Sequence, residues 1–266
     1  MKFGNFPKFA SLSLLAGVLT MALAGCGGSS NLGLTQGNWA FSASSTAPAK
    51  IVSGPTFVVG GNLTQSGNNL TGTMYVTQSG CIPQQFVSFT GTVKGKNVTL
   101  TSASFGGEVI SVTASGSKDS LSGTYTVTGD CADSGTVTAS AVPSISGTWN
   151  GTIPNPTQGI AQATLSIALT QAATASEDGT FALSGTLTYS NSVCSVSGTI
   201  SNGSLAGNYI VFINGTTLDQ DSGEGTILYS NVTLDSVTVP KNMTGDYNVT
   251  GGLCQDQSQS VTLTKQ

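Results

Sequence analysis

The 266 residues carry a net charge of −4, from 8 cations and 12 acids, with no histidine. Every cation is a lysine, so histidine general bases, Ser-His-Asp triads, histidine-ligated metals and arginine forks for phosphate are all excluded within this chain. The acidic balance also excludes a nucleic-acid footprint, which needs clustered cations.

Residues 1–25 read as an export signal. Lys2 and Lys8 form a short basic start, and Ala10 to Ala22 is mostly apolar yet too short to span a membrane as a helix. Leu23-Ala24-Gly25-Cys26 follows and resembles the lipobox of bacterial lipoproteins. The resemblance covers residues 1–26. It implies a diacylglycerol on the Cys26 thiol, cleavage before Cys26 and acylation of the freed amine. Two or three acyl chains anchor stably where one binds marginally. Gly27 stands where the enteric pattern uses Asp for inner-membrane retention, so the resemblance places the anchor in the outer membrane of the cell envelope. The mature chain keeps six lysines against twelve acids, so anionic lipid adds no attraction. Residues 26–36 are rich in Gly and Ser and read as a flexible tether.

The remainder contains one unit twice. Gly37-Asn38-Trp39 matches Gly147-Thr148-Trp149, and Leu63-Thr64-Gln65 matches Leu169-Thr170-Gln171. Leu70-Thr71-Gly72-Thr73 matches Leu183-Ser184-Gly185-Thr186, Cys81 matches Cys194, and Cys131 matches Cys254. The spacing between matched residues runs from 106 to 123, so the copies differ by insertions. A period near 110 residues is a domain rather than a solenoid repeat. The expected domains are 37–142 and 147–266, joined by a link short enough for them to touch.

Each copy reads as strands. Leu121, Gly123, Tyr125 and Val127 alternate with Ser122, Thr124, Thr126 and Thr128. Such alternation marks a half-buried antiparallel strand. Turn signals recur every 8–12 residues, among them Ser66-Gly67-Asn68-Asn69, Lys94-Gly95-Lys96-Asn97 and Gly116-Ser117-Lys118-Asp119. The first copy yields eight strands, near 37–44, 56–65, 69–77, 86–93, 97–103, 108–115, 121–128 and 135–140. Eight consecutive hairpins suit an up-and-down meander, and closing it into a barrel removes exposed edges.

Gly-x-Trp on the first strand, followed by Leu-[Ser/Thr]-Gly-Thr, resembles the start of avidin- and lipocalin-type barrels over about a third of each copy. The resemblance implies two tandem all-β barrels, with Trp39 and Trp149 packed across their closed ends as core aromatics. It also invites biotin-like binding, but each copy holds one tryptophan where that site boxes its ligand with several. The rival fold is an immunoglobulin-like sandwich, in which a tryptophan falls between the two cysteines; here each precedes both.

Setting Cys26 aside leaves four cysteines, and the duplication selects Cys81–Cys131 and Cys194–Cys254. Cys81 follows strand three and Cys131 follows strand seven, so both lie at one rim. Joining them requires the rim loops to fold inward over the mouth.

The chemistry-bearing motifs are sparse. Ser115-Gly116-Ser117-Lys118 has the spacing of penicillin-binding enzymes but falls in a hairpin turn, not at a helix start. Asp219, Asp221 and Glu224 are the densest acidic group and a candidate calcium loop, although the twelve-residue pattern is incomplete. Neither a cofactor motif nor an enzyme is expected. The expected role is a non-enzymatic envelope module binding a small apolar ligand or a surface glycan. The alternative is a structural or adhesive surface protein with filled barrels.

Overall fold

The computed structural model describes residues 31–47, 57–79, 81–153, 162–190, 195–219, 223–250 and 257–266. Cys26 and the rest of the export segment, Cys194, Cys254 and Asp221 lie outside them. The described chain is all-β and contains no helix.

Eight strands form the first sheet: β1 (Gly37–Ser45), β2 (Phe57–Ser66), β3 (Asn69–Ser79), β4 (Phe86–Lys94), β5 (Asn97–Ser102), β6 (Val109–Ser117), β7 (Ser120–Thr128) and β8 (Asp133–Ala141). Each pairs antiparallel with the next, and β8 returns to β1 from Trp39↔Ala141 to Ser45↔Gly135. The sheet is therefore a closed barrel without a free edge, and the sandwich alternative is corrected.

The period-two pattern sorts side chains as the sequence predicts. Val87, Phe89 and Val93 of β4 and Val98 and Leu100 of β5 point inward and are buried. Threonines cover the outside and pair across strands, with Thr64 and Thr71 hydroxyls 2.9 Å apart and Thr92 and Thr99 hydroxyls 3.1 Å apart. The glycine of the repeated Leu-x-Gly-Thr motif has a distinct task. A Cβ at Gly72 would strike the Asn62 carbonyl, and one at Gly123 the Thr113 carbonyl. Only glycine lets adjacent strands curl this tightly into a narrow barrel.

The second sheet contains β9 (Gly147–Ile153), β10 (Ala163–Gln171), β11 (Phe181–Ser190), β12 (Ser195–Ala206), β13 (Tyr209–Asp219), β14 (Gly223–Leu234), β15 (Asn242–Thr250) and β16 (Gln257–Lys265). It curls until β16 meets β9 at two pairs, Thr264↔Asn150 and Lys265↔Trp149. Register shifts interrupt β11 with β12, β12 with β13 and β14 with β15.

The two sheets have separate apolar cores, yet residues 31–266 form one compact unit. Their junction is built on glycine. A Cβ at Gly60 would sit 2.5 Å from the Gly207 Cα, and Gly207 itself has φ +62°, a turn conformation that other residues rarely adopt. The Asn62 N–H donates to the Gly179 carbonyl at 3.0 Å, and the buried Asn38 side chain clasps the Gly207 backbone.

The tether expected over 26–36 is corrected in its second part. Leu32 N–H donates to the Gly95 carbonyl and Thr35 N–H to the Lys118 carbonyl, both at 2.8 Å, while Leu34 is buried. An isolated leucine pair carries no periodicity to read, but it has an open barrel end to cover.

Candidate functional site

The interior of the first barrel is the first place to seek a site, because small barrels either fill with side chains or hold one ligand. Here it is filled. Phe41, Phe57, Met74, Phe89, Leu100 and Tyr125 line a central cavity of about 10 Å³, which is the space of about one water. Phe57 and Tyr125 meet edge to face at 4.9 Å between ring centres.

Both ends are covered. At one, Trp39 is fully buried and its Nε1–H donates to the Thr35 carbonyl at 2.7 Å, holding the 31–36 segment across the opening. The Gln65 side chain accepts from Leu34 N–H and donates to the Leu32 carbonyl. At the other rim, Cys81 and Cys131 are joined by a disulfide with Cα atoms 5.7 Å apart. The expected inward fold of the rim loops is realised there, with Ile82, Phe105 and Cys131 buried.

The same fixtures recur at the start of the second sheet. Trp149 Nε1–H donates to the Ile145 carbonyl at 2.9 Å, and Gln171 accepts from Ile145 N–H at 3.0 Å. Lys265 Nζ lies 5.4 Å above the Trp149 ring. Trp39 and Trp149 are thus core aromatics at corresponding ends, and the matched glutamines are the ties that secure each end. Tyr189 and Tyr247 are buried and stack at 5.8 Å; burial, then the neighbouring Tyr189, pushes the Tyr247 hydroxyl well above the ordinary tyrosine value.

Two acids sit at the rim of the first barrel. Asp133 accepts from the Tyr125 hydroxyl and the Ser45 hydroxyl, each at 2.7 Å. Glu108 follows the Gly106-Gly107 turn and is 2 % exposed; its Oε1 accepts from Cys131 N–H at 3.0 Å, and its Oε2 has no protein partner. Nothing in the sequence marked Glu108, because its burial depends on the Cys131 loop folding over it.

The remaining candidates stay apart. Ser115 and Ser117 lie on β6, and Lys118 lies in the exposed turn to β7, where it pairs with Asp119 at 2.7 Å. The Lys118 contact, then the Thr35 hydroxyl, holds the Asp119 carboxyl below its ordinary value. No nucleophile–base arrangement forms around that turn. Asp219 closes β13 and Glu224 lies near the start of β14, with Leu218↔Glu224 in register. Among the described residues no three acids, cysteines or histidines gather as a metal site. No described helix is long and apolar enough to cross a membrane.

Among the described residues, two features of the outer surface stand out. A polar groove crosses β9, β10 and β16, lined by Asn150, Thr152, Thr164, Ser166, Thr262 and Thr264. Beside the junction lies an aromatic strip. Phe86, 41 % exposed, pairs in register with Tyr75, their rings 4.7 Å apart and tilted by 41°. Tyr209 adjoins it: burial, then the nearby Tyr75, raises its hydroxyl above the ordinary value. Sequence reading missed this strip, since only the fold brings Tyr209 beside β3.

No family model, curated protein or solved structure matches the chain.

Proposed function

We propose that the chain is a non-enzymatic lipoprotein of the cell envelope, held by acyl chains on Cys26, that works through its outer surface. The carrying observation is the first barrel's interior, filled to about 10 Å³ and covered at both ends. A small ligand needs a pocket of roughly 300 Å³ or more, so for the first barrel the filled reading gains over a carrier of apolar molecules. The lipobox motif at Leu23-Ala24-Gly25-Cys26 supports the anchor.

We also propose that the two sheets are diverged copies of one up-and-down barrel of the avidin and lipocalin kind. The support is the shared tie of a strand-one tryptophan to the carbonyl four residues earlier, beside a glutamine from the next strand.

Native mass spectrometry of the acyl-free mature chain, purified from its own host, tests the surface reading. The expected result is the apo mass. A reproducible extra mass lost on denaturation overturns it in favour of a carrier. Cys26→Ala is expected to release the protein into the soluble fraction; retention in the membrane after a carbonate wash removes the anchor.

A further inference from the structure

We propose that the aromatic strip of Phe86, Tyr75 and Tyr209 is a binding platform for a neutral glycan. This rests on the reading that the protein works through its outer surface, and it names the ligand class and the place.

Phe86 occupies an outward position. Its neighbour Val87 is buried on the inner face, and Tyr75 likewise lies between the buried Met74 and Val76. The outward positions next along these strands carry hydroxyls: Thr71 and Thr73 on β3, Ser88 and Thr90 on β4. An exposed phenylalanine therefore departs from the pattern of its own sheet, and the core of the barrel gains nothing from it. Thr73 and Ser88 are the next registered pair on the outer face along from Tyr75 and Phe86, so on that face two aromatic rings are followed by two hydroxyl side chains. Gly60, the other registered neighbour of Tyr75, is where the second sheet closes in. Tyr209 comes from that sheet, two residues after Gly207.

The chemistry selects the occupant. A pyranose presents an apolar C–H face, which packs on an aromatic ring, and a rim of hydroxyls, which exchange hydrogen bonds with threonine, serine and tyrosine. The strip and its registered neighbours carry no charged side chain, so an anionic polymer finds no counter-charge. A protein partner of ordinary size covers roughly 800 Å² per side around an apolar centre. Among the described residues the exposed large hydrophobics are Phe86 and Val239, too few to build such a centre. A short stretch of neutral polysaccharide needs only the rings and their hydroxyl border.

The test uses the full lipidated chain in detergent with cellohexaose, N-acetylchitohexaose and maltohexaose as probes. Saturation-transfer NMR reports which sugar protons touch the protein, and calorimetry gives the affinity. At least one probe is expected to bind through its C–H face, about tenfold more weakly to Phe86→Ala and Tyr75→Ala. Val239→Ala, a more exposed apolar position elsewhere, is expected to bind as the parent does. Failure of all three probes to bind, or equal binding by Phe86→Ala, overturns the platform. Phe86→benzoylphenylalanine, illuminated on intact cells, separates the two levels of the argument. Cross-linking to glycan supports the platform. Cross-linking to a protein overturns it and leaves the surface reading standing, whereas a small molecule retained inside the folded chain overturns the surface reading itself.

Discussion

Asn38 and Gly207, 169 residues apart in the chain, exchange two hydrogen bonds at the junction of the sheets: Asn38 Nδ2 donates to the Gly207 carbonyl at 2.8 Å, and Asn38 Oδ1 accepts from the Gly207 N–H at 2.7 Å. The amide thereby mimics a backbone partner for the Gly207 turn. Because both groups are buried, their pairing is worth most when complete. Asn38→Ala is expected to cost about 2–4 kcal/mol by leaving the Gly207 N–H and carbonyl unpaired. It is also expected to divide urea unfolding into two transitions, one for each core. A single unshifted transition contradicts this.

The disulfide closes a loop of 50 residues between Cys81 and Cys131. Loop-closure entropy for that length amounts to about 4 kcal/mol. Cys81→Ser with Cys131→Ser is expected to lower the denaturation midpoint accordingly and to open the rim over Ile82 and Phe105. Peptide mass mapping under non-reducing conditions is expected to find Cys194 bonded to Cys254 as the second pair; a Cys81–Cys194 peptide removes the one-bond-per-sheet assignment.

Glu108 buries a carboxyl with one oxygen unpartnered, beside Gly129 and the Gly107 carbonyl. Glu108→Gln keeps an acceptor for the Cys131 N–H and replaces a buried carboxyl by an amide that can donate to the nearby Gly107 carbonyl. It is expected to stabilise the chain by about 1–3 kcal/mol at neutral pH. A thermal midpoint below that of the parent shows that the carboxylate has a partner in solution.

Asp235 organises the turn between β14 and β15, accepting from the N–H groups of Lys241 and Asn242, each at 3.0 Å, and from Asn242 Nδ2 at 2.8 Å. The Asn242 N–H, outweighing the opposing effect of burial, holds the carboxyl below the ordinary carboxylate value. A carboxyl with a depressed folded value contributes stability that is present above its unfolded value and lost as pH falls through the folded one. Asp235→Asn is therefore expected to narrow its deficit against the parent as acid is added below about pH 4. A deficit constant with pH assigns the turn's stability elsewhere.

Much of the fold was legible one strand at a time. The predicted strand over 86–93 is β4, Phe86–Lys94, because alternation of apolar and hydroxyl residues is a local signal and the Lys94-Gly95-Lys96-Asn97 turn ends it. Trp39 and Cys81–Cys131 were legible because the duplication supplied a second copy to compare. The candidate site was not. Phe86 reads as one more apolar residue at a strand start, and only closure of the barrel shows that it faces out. Asn38 reads as a polar residue beside a tryptophan, and Glu108 as a loop acid.

Period and turn glycines are properties of neighbouring residues, so they specified antiparallel strands and their order without reference to the rest of the chain, while comparison of the two copies specified the first disulfide. Closure of β8 on β1, the filling of the barrel, the cap formed by Leu34 and the contact of Asn38 with Gly207 each join residues far apart in sequence. Those depend on how much volume the inward side chains occupy and on where backbones approach closely enough to exclude a Cβ, quantities that exist only once the strands have come together.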